Sequence, residues 1–498
     1  MLVYSITRTL AFTTWLSSNS LFASATPQNN EENALLQTCL TNSAGGDATR
    51  AHFSSGENFS TEYVKPYNRQ YPYTPFAVMY PNTAEEVGEM VKCASENNRK
   101  VQARSGGHDY VNKCIGGADG AVVIDLKNLN QLTVDRDTHI ATIGPANGLK
   151  AVMEGLHNNG KRMIPHGTSA TVGIGGHTTV GGFGPATRRD GLTLDSLRSV
   201  EVVLANGTVV RASSSAHPDL FWAMRGAGQS FGIATSFEFD TKPQPPNVVT
   251  YQYNITSSDS TVLAESLQAW QALVADPALP RDLYTFVILQ GPTLLVRGTF
   301  LGTRAAFDAL RLHDRVPNIA AAATTVSDAS WLDTYTATFR FTDNLLADAF
   351  FAARTAAVPA AALPANDTLA ALITHLRAGS PGPAARWWVL IDANGGAAAD
   401  VAPDATAYPH RGALYYFQLY VASQEQRIGE EGMRFADGAV EALQAGRYGV
   451  YAGYPDAGLE EPQKKYWAGN LARLEEIKGV VDPRDVFSTG HGVKPARG

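Results

Sequence analysis

The sequence predicts an α+β fold in two unequal parts, and three observations carry that prediction. At 498 residues the chain is longer than one hydrophobic core usually organises, so two domains are expected. Residues 65–245 are dense in glycine and mix short β-branched runs with short helical patterns. Past "TKPQPPNVVT", which reads as a linker, the texture changes: longer strands alternate with Ala-rich helical stretches to about residue 445.

The elements follow in chain order. Arg8 precedes the apolar stretch "TLAFTTWLSSNSLFA", and "ASA" at 23–25 is a small-residue cleavage site, so residues 1–25 read as a signal peptide and the mature protein is expected to be secreted. After it, no apolar run approaches the roughly 20 residues needed to span a bilayer. "PNTAEEVGEMVKCASENN" has helical spacing, with Thr83 and Glu86 as a capping box and Val87, Met90, Val91 and Ala94 on one face. The strand "KVQAR" runs into "RSGGHDY", and "GAVVIDL" and "IATIG" read as further strands. "SVEVVLANGTVVRA" is a hairpin turning at Asn206-Gly207. "HPDLFWAMRG" is a short helix with Pro218 in its first turn and Gly226 at its end, followed by the strand "GIATSFEFD". In the second part "LYTFVILQG", "LLVRGTF" and "YYFQLYVAS" are strands, and "EEPQKKYWAGNLARLEEIKGVVDP" reads as one amphipathic helix stopped by Asp482-Pro483.

Composition narrows the function classes. Net charge is −7 with no basic run, so neither nucleic acid nor an anionic membrane is an expected partner. Four sequons, at Asn58, Asn206, Asn254 and Asn366, are candidate glycosylation sites and agree with export. The three cysteines allow one disulfide and have no metal-ligand spacing, and no metal site is expected.

Three glycine-rich stretches hold the chemistry. "RSGGHDY" (104–110) places one histidine after two glycines at a strand end. "PHGTSATVGIGGHTTVGGFG" (165–184) and "RGAGQSFG" (225–232) let backbone N–H groups approach a phosphate or a flat ring closely. Neither fits the dinucleotide fingerprint, because Thr178 and Phe231 stand where its last glycine is required.

Taken together these stretches resemble the fungal oligosaccharide oxidases of the glucooligosaccharide and chitooligosaccharide type. That group lies in the berberine-bridge-enzyme-like branch of the vanillyl-alcohol-oxidase flavoproteins. The likeness runs from about Cys39 to the C-terminus and includes "YAGYPD" and "YWAGNLARL". It implies a two-part FAD-binding domain, residues 65–245 and 446–498, with a substrate domain, 246–445, inserted between and built on an antiparallel sheet covered by helices. It implies FAD bound covalently through His108, in a loop with Arg104, Ser105, Gly106 and Gly107. The second loop would contribute Ser169, Val172, Gly173, Gly176, His177 and Gly182, and the remaining contacts would come from Gly232, Ile233 and Asn470. It implies a disulfide between Cys39 and Cys93, leaving Cys114 free.

One departure stands out. Relatives with a doubly attached flavin carry a cysteine where this chain has Ser169. A hydroxyl has no ready route to a stable bond at flavin C6, whereas a thiolate is a strong nucleophile. Attachment through one histidine is therefore expected. A singly tethered flavin is a weaker oxidant, so a dehydrogenase using quinone-like or other acceptors is favoured over an oxidase using O₂, although the small Val172 near the oxygen-access site argues the other way.

The resemblance also assigns the chemistry. Oxidising a sugar C1 hydroxyl to a lactone needs a base, and the family's pair maps onto Tyr454 as base and Asp392 as the group that takes or shares its proton, with Tyr110 beside them. Gln418, Tyr451 and Trp388 are the expected substrate contacts, while Leu390 replaces a family glutamine. Strand alternation puts only one of Trp387 and Trp388, and one of Tyr415 and Tyr416, in the groove. A monomer acting on an oligosaccharide is expected; a berberine-bridge-like oxidation of a small secondary metabolite is the alternative.

Overall fold

Local signals set most of the elements seen in a computed structural model, which describes residues 27–318, 324–335, 346 and 348–496. The signal peptide expected at 1–25 lies outside the described residues. The Ala84–Glu96 helix starts at Thr83, whose hydroxyl accepts from Glu86 N. Its capping box is only half formed, because the Glu86 carboxylate turns back to Asn82 N and Arg50 instead of Thr83 N. The strands Leu197–Val203 and Val209–Ser213 pair as the expected hairpin, with Gly207 at φ +85° in the turn.

Two expectations are corrected. The segment read as a linker is tied down: Lys242–Pro243 pairs with Arg162–Met163, and Val248 already opens the next strand. The C-terminal helix is two helices, Pro462–Trp467 and Leu471–Val481, separated at Ala468, which sits at φ +43°. The break has a tertiary cause. Trp467 Nε1 donates to Gly226 O at 3.1 Å, and Asn470 Nδ2 donates to Pro403 O at 2.8 Å and to Thr406 O at 3.1 Å, and these contacts outweigh helix continuity.

Besides that two-stranded pair, three larger sheets organise the described residues. A four-stranded sheet has Ala51–Phe53 antiparallel to Ala77–Met79, which runs parallel to Val122–Asp125 and through it to Val101–Arg104. A five-stranded antiparallel sheet centres on Ile233–Asp240. A seven-stranded antiparallel sheet orders Thr324–Ala329, Val248–Thr256, Thr293–Phe300, Leu283–Gln290, Arg386–Ala393, Ala413–Ser423 and Phe350–Pro359. One face of this large sheet packs Val287, Val389, Ile391, Phe417 and Leu419 against the helices Ser260–Ala275, Asn366–Ala378 and Glu430–Ala442. Because side chains alternate along a strand, Tyr284, Phe286, Trp388, Leu390, Asp392, Gln418 and Tyr420 are left on the other face.

The two ends of the described chain close onto the first two sheets. Cys39 and Cys93 form a disulfide that joins the Pro27–Ser43 helix to the Ala84–Glu96 helix, and Cys114 keeps its thiol. At the C-terminal end the buried Lys478 ammonium bonds Asp482 at 2.6 Å and Ser230 O at 2.6 Å, and Ser230 Oγ accepts from Val493 N at 3.1 Å. Of the sequon asparagines, Asn58, Asn206 and Asn366 are exposed, while Asn254 is half-buried within a strand. Among the described residues no helix is long and apolar enough to cross a membrane.

Candidate active site

A cleft of about 300 Å³ runs between the large sheet's open face and the two glycine-rich loops. Its floor forms where those loops cross. A Cβ on Gly106 would run into Gly173 N and Thr171 O, and one on Gly173 would meet Ser105 Oγ and Gly106 N, so each position accepts glycine only. Gly107 at φ +75° turns the first loop so that His108 enters the wall. His108 Nε2 bonds Thr171 Oγ1 at 2.8 Å, and Tyr67 lies on its ring with centroids 4.3 Å apart. Ser105, Ser169, Val172, Gly176 and His177 line the same wall, as do Gly232 and Ile233.

His177 is held neutral: burial, reinforced by His166, pushes its pKa down to about 3, and its Nε2 accepts from Gly167 N at 3.0 Å. It therefore shapes the loop and brings no charge to the cleft. Gly182 stands at φ +78° and donates its N–H to the Tyr451 hydroxyl at 2.9 Å. Tyr451 lines the cleft, but its oxygen is engaged with this loop, a structural tie that its role as a substrate contact did not anticipate.

Three residues expected at the cofactor lie off the cleft wall: Gly182, whose N–H goes to Tyr451, and also Arg104 and Asn470. Arg104 points under the loop, bonding Asp125 at 2.6 Å and Tyr63 O at 2.7 Å. Asn470 is spent on the backbone carbonyls that break the C-terminal helix. Arg104 and Asn470 sit in glycine-bearing motifs, and membership of a motif does not settle which way a side chain turns.

The sheet side of the cleft carries a connected polar rank. The Tyr110 hydroxyl meets the Tyr420 hydroxyl at 2.7 Å, Tyr420 donates to Gln418 Oε1, and Gln418 Nε2 donates to Asp392 Oδ2 at 2.9 Å. The other carboxylate oxygen, Oδ1, accepts from the Tyr284 hydroxyl at 2.7 Å. Burial raises Asp392 to about 6, against the opposing pull of Tyr284 and Gln418. Tyr454 stacks on Tyr110 at 5.7 Å with planes 16° apart. Burial and then the Asp392 charge push the Tyr454 pKa well up, and donation from Gln418 opposes that rise.

The expected Tyr454–Asp392 pair thus takes a different form. Both are brought to the cleft, yet the donors on the carboxylate are Tyr284 and Gln418, and Gln418 is the group between the two. Tyr454 owes its place to the Phe350–Pro359 strand: Thr355 Oγ1 donates to Tyr454 O at 2.9 Å, and Arg354 pairs with the buried Asp456 at 3.1 Å. Trp388 faces the cleft while Trp387 packs into the helix-covered core. Tyr284 and Thr171 were missed. Alternation in "LYTFVILQG" places Tyr284 with Phe286 on one face, a signal that was available; nothing local marks Thr171.

The described residues hold no group of histidine, cysteine, aspartate and glutamate able to bind a metal. A flat ring fits where the glycine crossing forbids side chains, with His108 at its rim, and the comparisons agree. Residues 75–213 match the model of the FAD binding domain, and 450–494 match that of the berberine and berberine-like segment. The FAD-linked oxidoreductase sorD of Penicillium rubens is 35% identical over 92% of this chain and 98% of its own length. The xylooligosaccharide oxidase of Thermothelomyces thermophilus is 33% identical over 88% of this chain and 91% of its own length. Among solved structures, a xylooligosaccharide oxidase from Myceliophthora thermophila in complex with xylobiose superposes with a TM-score of 0.84 at 31% identity, covering 93% of this chain and 100% of that one. The glucooligosaccharide oxidase from Acremonium strictum, described with 6-S-cysteinyl, 8α-N1-histidyl FAD, gives a TM-score of 0.84 at 30% identity, covering 93% and 100%. A glycine-crossed cofactor cleft facing a tyrosine–carboxylate rank, together with this full-length likeness, makes the chain a member of the berberine-bridge-enzyme-like family of FAD-linked oxidoreductases.

Proposed function

We propose that the protein oxidises the C1 hydroxyl at the reducing end of an oligosaccharide to a lactone, which hydrolyses to an aldonic acid, using FAD held covalently through His108 alone. The observation that carries this reading is the Tyr454–Gln418–Asp392 rank at the inner end of a cleft walled by tyrosines and Trp388. Named relatives that act on xylo-, gluco- and chitooligosaccharides, 31–33% identical over 86–88% of the chain, support it. Export through the N-terminal segment, with carbohydrate on the exposed sequons, belongs to the same proposal.

Bound FAD supplies the hydride acceptor for the C1 hydrogen. The protein's part is the hydroxyl proton. Tyr454 takes it while giving up its own phenolic proton toward Asp392, because burial and the neighbouring carboxylate push its pKa above 10 and leave the phenol protonated at neutral pH. Asp392 at about 6 is the group that can hold a proton in the closed site and release it to solvent afterwards. Tyr284 and Gln418 use two of the roughly four lone-pair sites of its carboxylate, which leaves others to receive it. Trp388, stacked on Tyr420 through one face and lining the cleft, suits the C–H side of a pyranose with the other.

At the second loop Ser169 lines the cleft with a hydroxyl where a thiol would be needed for a second bond, which supports single attachment and electron transfer to an organic acceptor in preference to O₂. Phe286, Leu346 and Leu390 make one wall apolar and favour a second reading, an alcohol carried on a small secondary metabolite. Assaying xylo-, cello- and chitooligosaccharides and hydrophobic alcohols, each with O₂ and with a benzoquinone, separates the two. Aldonic acid formation is the expected result; turnover of hydrophobic alcohols alone would overturn the sugar assignment.

A further inference from the structure

Tyr284 belongs to no motif, and the proton route just described does not pass through it. It is 4% exposed and shares the open sheet face with Phe286. Strand register places Phe286 opposite Asp392 and Leu390 opposite Gln418, so Tyr284 and Gln418 approach the carboxylate from opposite sides, each on its own oxygen. Held in this way, the carboxylate cannot rotate without breaking a hydrogen bond.

We propose that Tyr284 is a positioning residue that, with Gln418, clamps the Asp392 carboxylate and keeps it ionised and aimed for the proton it receives. This rests on Asp392 being the final proton acceptor, as proposed above. The groups that face Asp392 are Tyr284 and Gln418 on its flanking strands, Tyr454 on the C-terminal segment and Tyr110 on the His108 loop. All four are neutral at working pH, and among the described residues no cation enters its balance. Hydrogen-bond donors therefore do the stabilising that a countercharge does at other buried carboxylates. Tyr284 can act only as a donor here, since burial and the Asp392 charge push its own pKa well above the usual tyrosine value. Losing one hydrogen bond to an ionised group should shift the carboxylate upward by about 1 to 2 pH units.

The test needs no substrate. In the flavin-loaded enzyme, the protonated-carboxyl band of Asp392 is followed by infrared difference spectroscopy across pH, with Asp392→Asn identifying the band. Wild type should titrate near 6, and Tyr284→Phe, which removes one oxygen and keeps the ring, should titrate about 1 to 2 units higher. An unchanged midpoint in Tyr284→Phe overturns the proposal. Should that variant fail to fold, 3,5-difluorotyrosine placed at position 284 is a stronger donor of the same shape and should lower the midpoint; no movement overturns the proposal equally. Flavin reduction by a sugar substrate serves as the separate check on Asp392 itself. A wild-type rate with no acid limb near 6 sinks the proton-acceptor reading, whereas a limb that is present in wild type and unmoved in Tyr284→Phe sinks only the role of Tyr284.

Discussion

Replacing Asp392 with asparagine should stop the chemistry while making the fold more stable, and pH separates the two effects. Asp392 is 5% exposed and its pKa is raised from 3.8 to about 6. The sign follows from where the proton sits. Below pH 4 the carboxyl is protonated in both folded and unfolded chains, and its burial carries no ionisation penalty. Above pH 6 the folded protein must hold a carboxylate that the unfolded chain ionises freely, so the penalty is complete, about 3 kcal/mol for a shift of roughly two units. Asparagine stays neutral throughout. It still offers Tyr284 an acceptor, but its amide N–H₂ would face that of Gln418, so one of the two must turn over and about 1 kcal/mol is lost. The net expectation is about 2 kcal/mol at pH 8, or about 2 °C in Tm for a chain of this size, falling through zero to a slightly negative offset near pH 4, where only the lost hydrogen bond remains. Thermal melting of the flavin-loaded protein at both pH values is the assay. An Asn variant whose melting offset is the same at pH 4 and pH 8, or negative at pH 8, refutes the account of a buried, ionised Asp392.

Other outcomes follow from the same geometry. Acid precipitation of wild type should leave its yellow colour in the pellet, and His108→Ala should release it. Thr171→Val, which removes the 2.8 Å partner of His108 Nε2, should release an intermediate share, and full retention would show that this contact does not prepare the ring. Tyr454→Phe should slow single-turnover flavin reduction about 10²- to 10⁴-fold with FAD still attached; a near-normal rate would pass the base role to Tyr110. Cys39→Ser opens a bridge across a sequence separation of 54 and should cost about 4 kcal/mol in urea unfolding. Cys114 is half-buried on the cleft wall and burial pushes its thiol up to about 12, so the flavin-loaded protein should alkylate far more slowly than the unfolded chain, and equal rates would contradict this account.

What could be read in the sequence follows a physical division. Periodicity revealed Ala84–Glu96, the Asn206-Gly207 hairpin and three of the seven strands of the large sheet, because each signal is carried by neighbouring residues. Alternation put one of Trp387 and Trp388 in the cleft without saying which, and the structure chooses Trp388; of Tyr415 and Tyr416 neither lines the cleft, since Tyr415 packs under the helices and Tyr416 against Tyr451. Glycine density located both cofactor loops, since backbone crossings such as Gly106 on Gly173 leave no room for another residue. Contacts made at long range were not legible. Ala468 looks helical until Trp467 and Asn470 find partners on distant loops. Arg104 looks like a cofactor ligand until Asp125 takes it. The Asp392 carboxylate is shared by strands that only the sheet brings side by side, so alternation could show which face Tyr284 takes but not that its partner lies 108 residues away.

The Tyr110–Tyr420 contact joins residues 310 positions apart, and it bears on how the enzyme is made. At roughly 5–20 residues per second, translation delivers the second tyrosine about 15 to 60 seconds after the first. Tyr454 comes later still, and the Lys478 knot that fastens the tail to Ser230 comes after that. Throughout that interval the nascent chain has its histidine loop but not the tyrosine rank that faces it. A chain ended before Tyr454 therefore lacks one wall of the cleft, and the cleft is complete only in finished molecules.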